Sequence, residues 1–143
     1  MFSKTFGYAL RAATQVACQG LGGEKVSLQE LADTLGLPRP FLGKIMQDLV
    51  RHGVLGSTKG PHGGFFVIET TLNTPLTQIL TITDGSLVFT QCALGIRHCN
   101  AEVPCPLHAD FALCREGMLR ALSQRTLGML AEDVKDGKSF LVR

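Results

Sequence analysis

Residues 27–68 read SLQELADTLGLPRPFLGKIMQDLVRHGVLGSTKGPHGGFFVI, and this stretch decides the fold. Ser27-Leu28-Gln29-Glu30 is a capping box: the serine hydroxyl accepts from the backbone three residues on while Glu30 reaches back, which opens a short helix to Leu35. Gly36-Leu37-Pro38 breaks that helix, and Pro38 and Pro40 fit only the first turn of a second one, carried by Phe41, Leu42, Ile45, Met46, Leu49 and Val50 to His52. Two helices joined by a tight glycine-containing turn make a helix-turn-helix unit. After Gly53 the period changes. Val54–Thr58 and Phe65–Ile68 are β-prone runs on either side of Lys59-Gly60-Pro61-His62-Gly63-Gly64, which predicts a hairpin with a glycine-rich tip, a wing.

Working outward, Phe6, Ala9, Leu10, Ala13, Val16 and Ala17 recur at three- and four-residue steps, so Thr5 to about Gly20 is an amphipathic helix. On the other side, Thr74-Pro75 is expected as N-cap and first residue of a helix through Leu76, Ile79, Leu80 and Ile82 that Asp84-Gly85 ends. Residues 86–105 lack a helical period. Pro106 is expected to open the last main helix, with Leu107, Phe111, Cys114, Met118 and Leu122 on one stripe, and Thr126 to cap a short helix to Val134. The expected architecture is mainly α with a small β-hairpin: a winged helix-turn-helix over 1–84, a cysteine-rich loop over 85–105, a long helix and a short terminal helix over 106–136, and a loose tail over 137–143.

The composition, 45% hydrophobic and 18% charged, suits a globular chain rather than a disordered one. No run approaches the ~20 apolar residues of a membrane span, and Met1 to Gln19 carries Lys4 and Arg11 rather than a signal peptide, so a cytoplasmic protein without a membrane partner is expected. Nothing resembles a nucleophile–base set, a phosphate loop or a paired-carboxylate motif, which argues against an enzyme; Asp84, Glu102 and Asp110 read as cap or surface charges.

The formal charge is only +2, but residues 39–64 hold Arg39, Lys44, Arg51 and Lys59 against Asp48 alone, with His52 and His62 in addition. Residues 73–143 balance seven basic against seven acidic side chains. The positive field belongs to one region, as expected of a face that meets phosphates. In a helix-turn-helix the second helix enters the major groove of double-stranded DNA. Arg39 in its first turn could pair bidentately with guanine, Lys44 could take phosphate or a less directional base contact, and Lys59 and His62 extend the basic face onto the wing. Gly63 at the wing tip would let backbone approach a minor groove. A protein-binding winged helix is the alternative on the same residues.

Five cysteines fall at 18, 92, 99, 105 and 114. The spacing Cys92-x6-Cys99-x5-Cys105-x2-His108 gathers three thiolates and an imidazole on one loop and the helix start beyond it. Iron–sulfur clusters take thiolates, with histidine able to replace one of them; tetrahedral zinc takes the same set, and a metal-free thiol switch is open too. Cys18 and Cys114 sit on apolar helix faces and are expected as small core residues, with His98 exposed.

Tyr8-Ala9-Leu10-Arg11, Phe41-Leu42-x-Lys44-Ile45, Gly60-x-x-Gly63-Gly64 and the cysteine loop together resemble the Rrf-two family of winged-helix regulators, with its IscR, NsrR and RirA branches. The resemblance spans nearly the whole chain. It implies a homodimer paired through the helix after Pro106 that acts as a transcriptional regulator, in the first instance a repressor, on a DNA operator. It further implies sensing of iron, cluster, nitric oxide or redox status through an iron–sulfur cluster on Cys92, Cys99, Cys105 and His108, a 2Fe-2S centre before a 4Fe-4S one. Two departures matter. Lys59 stands where the family has arginine, and Gly43 where the IscR branch has an acidic residue, so the operator of that branch is not implied.

Overall fold

A computed structural model describes residues 2–141; residue 1 of the expected first segment and residues 142–143 of the expected tail lie outside the described residues. The elements are α1 (Lys4–Ala17), α2 (Leu28–Leu35), α3 (Arg39–Arg51), β1 (Gly56–Thr58), β2 (Gly64–Phe66), α4 (Leu76–Asp84), α5 (His108–Ser123) and α6 (Leu127–Lys135). Short 3-10 turns at Thr71–Asn73 and Ser86–Phe89 precede and follow α4. Mainly α with one two-stranded antiparallel hairpin is thus the architecture found.

The helix starts follow their local signals. Ser3 caps α1 by accepting from the Phe6 N–H at 3.1 Å. Ser27 accepts from Glu30 N at 3.1 Å while the Glu30 carboxylate accepts from Ser27 N at 2.8 Å, the full capping box. Gly36 ends α2 at φ 66, the left-handed cap that a residue with a Cβ adopts only at a cost. Pro38 caps α3 and Pro40 fills its first turn, where a missing N–H costs no hydrogen bond.

One core joins these elements. Ala9, Ala12, Ala13 and Val16 of α1 are fully buried, and their small side chains let α3, α4 and α6 pack closely around that helix. Leu31 of α2, Leu42, Met46 and Leu49 of α3, Ile79 and Leu80 of α4 and Leu127 of α6 complete it, each stabilising by roughly 1.5–3 kcal/mol through burial. The hairpin pairs Gly56 with Phe66, Ser57 with Phe65 and Thr58 with Gly64. Val26 and Phe65 exchange two backbone hydrogen bonds of 2.9 Å, which ties the wing to the residue just before α2.

Several local expectations are corrected. The strands are shorter than the β-prone runs, because Val54 and Leu55 turn into the core instead of pairing. The Thr74 hydroxyl donates back to Thr70 O at 2.9 Å, so Pro75 is the cap of α4 rather than its first residue. A turn closed by His108 N to Cys105 O at 3.0 Å takes up Pro106, and α5 therefore begins at His108. Cys114 is exposed, not a core residue, whereas Cys18 is half-buried with its thiol pushed up by burial. The tail is held: Lys138 and Ser139 donate to Asp133 O, and Arg11 Nε donates to Leu141 O at 2.9 Å.

Asp84, the last residue of α4, accepts from Ser3 N at 2.8 Å and from the Ser3 hydroxyl, joining α4 to the cap of α1. Partial burial works to raise its pKa, but the Ser3 hydrogen bonds outweigh it and hold the carboxyl below its ordinary value. A depressed folded pKa contributes stability that is complete above the unfolded value of about 3.9 and is lost as pH falls through the folded one. Thermal melts of Asp84→Asn should therefore trail the parent by a constant margin between pH 5 and 8. That margin should begin to shrink below about pH 4 as the carboxyl titrates; one that stays constant down to the lowest pH at which the parent remains folded would contradict the assignment.

Candidate nucleic-acid interface and metal centre

The buried stripe of α3, Leu42, Ile45, Met46 and Leu49, fixes which way the helix faces. Pro40, Lys44, Gln47 and Arg51 follow one another at three- and four-residue steps on the opposite side, and all four are exposed. Arg39 is exposed as the first residue of the helix. Arg51 is partnered by Asp48 at 3.0 Å, one turn back, so its charge is partly neutralised on the helix itself. Phe41 is 40% exposed and stands edge-on to Tyr8 of α1 with ring centroids 5.8 Å apart.

Lys59 and His62 are exposed on the wing. Gly63 is half-buried, and a Cβ there would lie 2.3 Å from Thr58 O, so the turn itself demands glycine whatever the wing touches. A cleft lined by Lys25, Ser27, Glu30, Pro61, His62 and Gly63 shows that the wing tip lies beside the start of α2. Lys25, with its ammonium 6.0 Å from the Phe66 ring centroid, adds a cation that the 39–64 charge window did not include. Gln47 was passed over because a charge count is blind to a neutral amide; three-residue spacing from Lys44 would have found it.

The loop after α4 brings its cysteines together. The sulfurs of Cys92, Cys99 and Cys105 all lie within 4.8 Å of one another. Cys92 and Cys105 are 3.7 Å apart, and Cys99 Sγ is 3.1 Å from His108 Nδ1 at the start of α5. Cys105 N donates to Cys99 Sγ at 3.3 Å, so the backbone also points at the group. The Ile96 N–H, opposed by burial and joined by the Leu94 N–H and the Cys105 and Cys99 contacts, draws the Cys92 thiol down to about 7. Burial, followed by its thiol neighbours, pushes Cys105 up. His98 is exposed, as expected.

Two thiolates bound at ~2.3 Å to one tetrahedral ion stand about 3.8 Å apart, close to the Cys92–Cys105 spacing. Three soft sulfurs with an imidazole on the third therefore suit a thiophilic metal or an iron–sulfur cluster. Arg115 of α5 donates to Gln91 O at 3.3 Å, so the loop is fastened to α5 both beside Cys92 and through His108.

No helix among the described residues is long and apolar enough to cross a membrane. A family model described as Rrf2, iron-dependent transcriptional regulator, matches residues 2–133. A protein of Aquifex aeolicus (strain VF5) described as an HTH-type transcriptional regulator is 33% identical over 110 residues, covering 76% of this chain and 75% of that protein. The HTH-type transcriptional regulator IscR of Klebsiella pneumoniae (strain 342) is 25% identical over 126 residues, covering 88% of this chain and 76% of its own. The structure of CymR, the global cysteine regulator of B. subtilis, superposes with a TM-score of 0.75 at 18% identity over 92% of this chain and 96% of that one, a likeness of fold. These relatives are transcriptional regulators rather than enzymes, and the chain belongs to the Rrf2 family of transcriptional regulators.

Proposed function

We propose that the protein is a cytoplasmic homodimeric repressor that docks α3 in the major groove of an operator and senses iron, cluster, nitric oxide or redox status through a 2Fe-2S centre on Cys92, Cys99, Cys105 and His108. The observation that carries the DNA reading is the exposed stripe of Pro40, Lys44, Gln47 and Arg51 on the side of α3 away from the core, with a basic wing on the same unit. Arg39 and Lys44 enter the groove, and Lys59 and His62 flank it from the wing. Gly63 serves by holding the tip's turn.

For the centre, Cys92, Cys99, Cys105 and His108 would hold the cluster, the three sulfurs lying within 4.8 Å of one another and the His108 imidazole 3.1 Å from Cys99 Sγ. A bound cluster supplies reversible one-electron chemistry and sensitivity to oxidants. His108 is the first residue of α5, and Arg115 of the same helix holds Gln91 beside Cys92. A rearrangement of the loop at Cys92 or at His108 would therefore reach α5 directly. If α5 is the seam of the dimer, its shift resets the spacing of two recognition helices, which a duplex accepts only at about 34–36 Å or multiples of it.

The three close sulfurs also suit a single zinc ion, which an iron, sulfide and zinc assay of the purified protein separates from a cluster. For DNA docking, Lys44→Ala is the direct test. Its expected effect is about a tenfold loss of affinity and a salt dependence shallower by about one ion, read from binding isotherms between 50 and 200 mM salt. Unchanged affinity and slope would remove α3 from the interface.

A further inference from the structure

We infer that Gln47 reads an adenine edge in the operator and is a principal specificity determinant of α3. The inference rests on the docking of α3 proposed above and adds to it the base that is read.

Beyond Arg39 at the helix start and Phe41 against Tyr8, four exposed residues follow one another along the side of α3 away from the core, and their chemistry divides the work. Pro40 has no side-chain donor or acceptor. Arg51 is engaged by Asp48 at 3.0 Å. Lys44 carries a point charge with three donors and no acceptor, so it satisfies phosphate or any base acceptor without strong preference. Gln47 alone of the four presents a donor and an acceptor side by side on a neutral planar group, and it is exposed. That pairing matches the major-groove edge of adenine, where N7 accepts and the N6 amino group donates. Guanine offers two acceptors there and cytosine only a donor, so neither takes both halves of the amide.

Lys44 and Gln47 are three residues apart, about 4.5 Å along the helix axis and on one side of α3, so docking that brings Lys44 to the duplex brings Gln47 to the same groove. Gly43, one turn before Gln47, is half-buried, and a Cβ there would lie 3.4 Å from the Leu28 side chain of α2.

The test uses the full-length protein and duplexes selected with it from a random pool. Each adenine of the selected duplex is replaced in turn by 7-deazaadenine, which removes only the N7 acceptor. The parent protein should lose roughly 5- to 150-fold in affinity at one adenine per half-site and be indifferent elsewhere. Gln47→Ala should bind the unmodified duplex more weakly by a similar factor and show no further loss on that substitution. Gln47→Glu, an acceptor only, should move the preference at that position toward cytosine.

A parent indifferent to every 7-deazaadenine, or a Gln47→Ala protein penalised as heavily as the parent, overturns the inference while leaving Lys44-dependent docking in place. A pool that yields no preferred sequence overturns the operator reading and this inference with it.

Discussion

Replacing Cys92, Cys99 and Cys105 together by alanine should abolish the visible absorption of anaerobically purified protein, with its iron and sulfide falling to background. The fold should survive the change. None of the three belongs to the buried core, and the hydrogen bonds they make stay within the loop and the first residue of α5. Far-ultraviolet dichroism should consequently keep its helical amplitude while the response of DNA binding to oxidant disappears. A parent protein that is colourless and carries zinc would replace the iron reading by the tetrahedral one. Colourless, metal-free parent protein would leave the thiol switch, in which Cys92, with its pKa near 7, is the thiol that reacts first. A triple variant that still purifies brown would overturn the ligand assignment.

The second large effect concerns α5. This 16-residue helix has no buried residue in the isolated subunit. Phe111, Met118 and Leu122 are half-buried, while Leu113 is 70% and Leu119 39% exposed. A helix that is apolar on more than one side needs cover on more than one side, and α4 supplies only one. A second copy of α5 across a two-fold is the cover proposed. Leu113→Glu with Leu119→Glu should leave the subunit folded, since neither side chain is buried within it. The same pair places charges inside the proposed seam. Sedimentation should find the parent as a dimer and the double variant as a 15.4 kDa monomer. Operator affinity should fall by at least about a hundredfold, because one recognition helix then holds one half-site. A double variant that stays dimeric would place the seam elsewhere.

Much of the head was legible in the sequence because its signals are local. The Ser27–Glu30 box, the Pro38 break and the change of period after Gly53 each act within a few residues, and all three are present, although the strands pair only over Gly56–Thr58 and Gly64–Phe66. The exposure of Phe41 was not legible, because periodicity registers that a side chain is apolar, not that Tyr8 from another helix will hold it at the surface. Lys25 and Gln47 escaped because one lies outside the charged run and the other is neutral. In the cysteine loop, spacing named the residues that come together, but it could not say that His108 would open α5 or that Cys114 would face outward. Both depend on how the 105–108 turn delivers the chain into the helix.

The central claim is that α3 and the wing meet a duplex as part of a two-fold pair. Hydroxyl-radical footprinting of the full-length protein on a selected duplex tests it most directly. Two protected patches on one face of the DNA, one helical turn or a multiple of it apart and both weakened by Lys44→Ala, are the expected result. A single patch, or protection that Lys44→Ala leaves untouched, would contradict it.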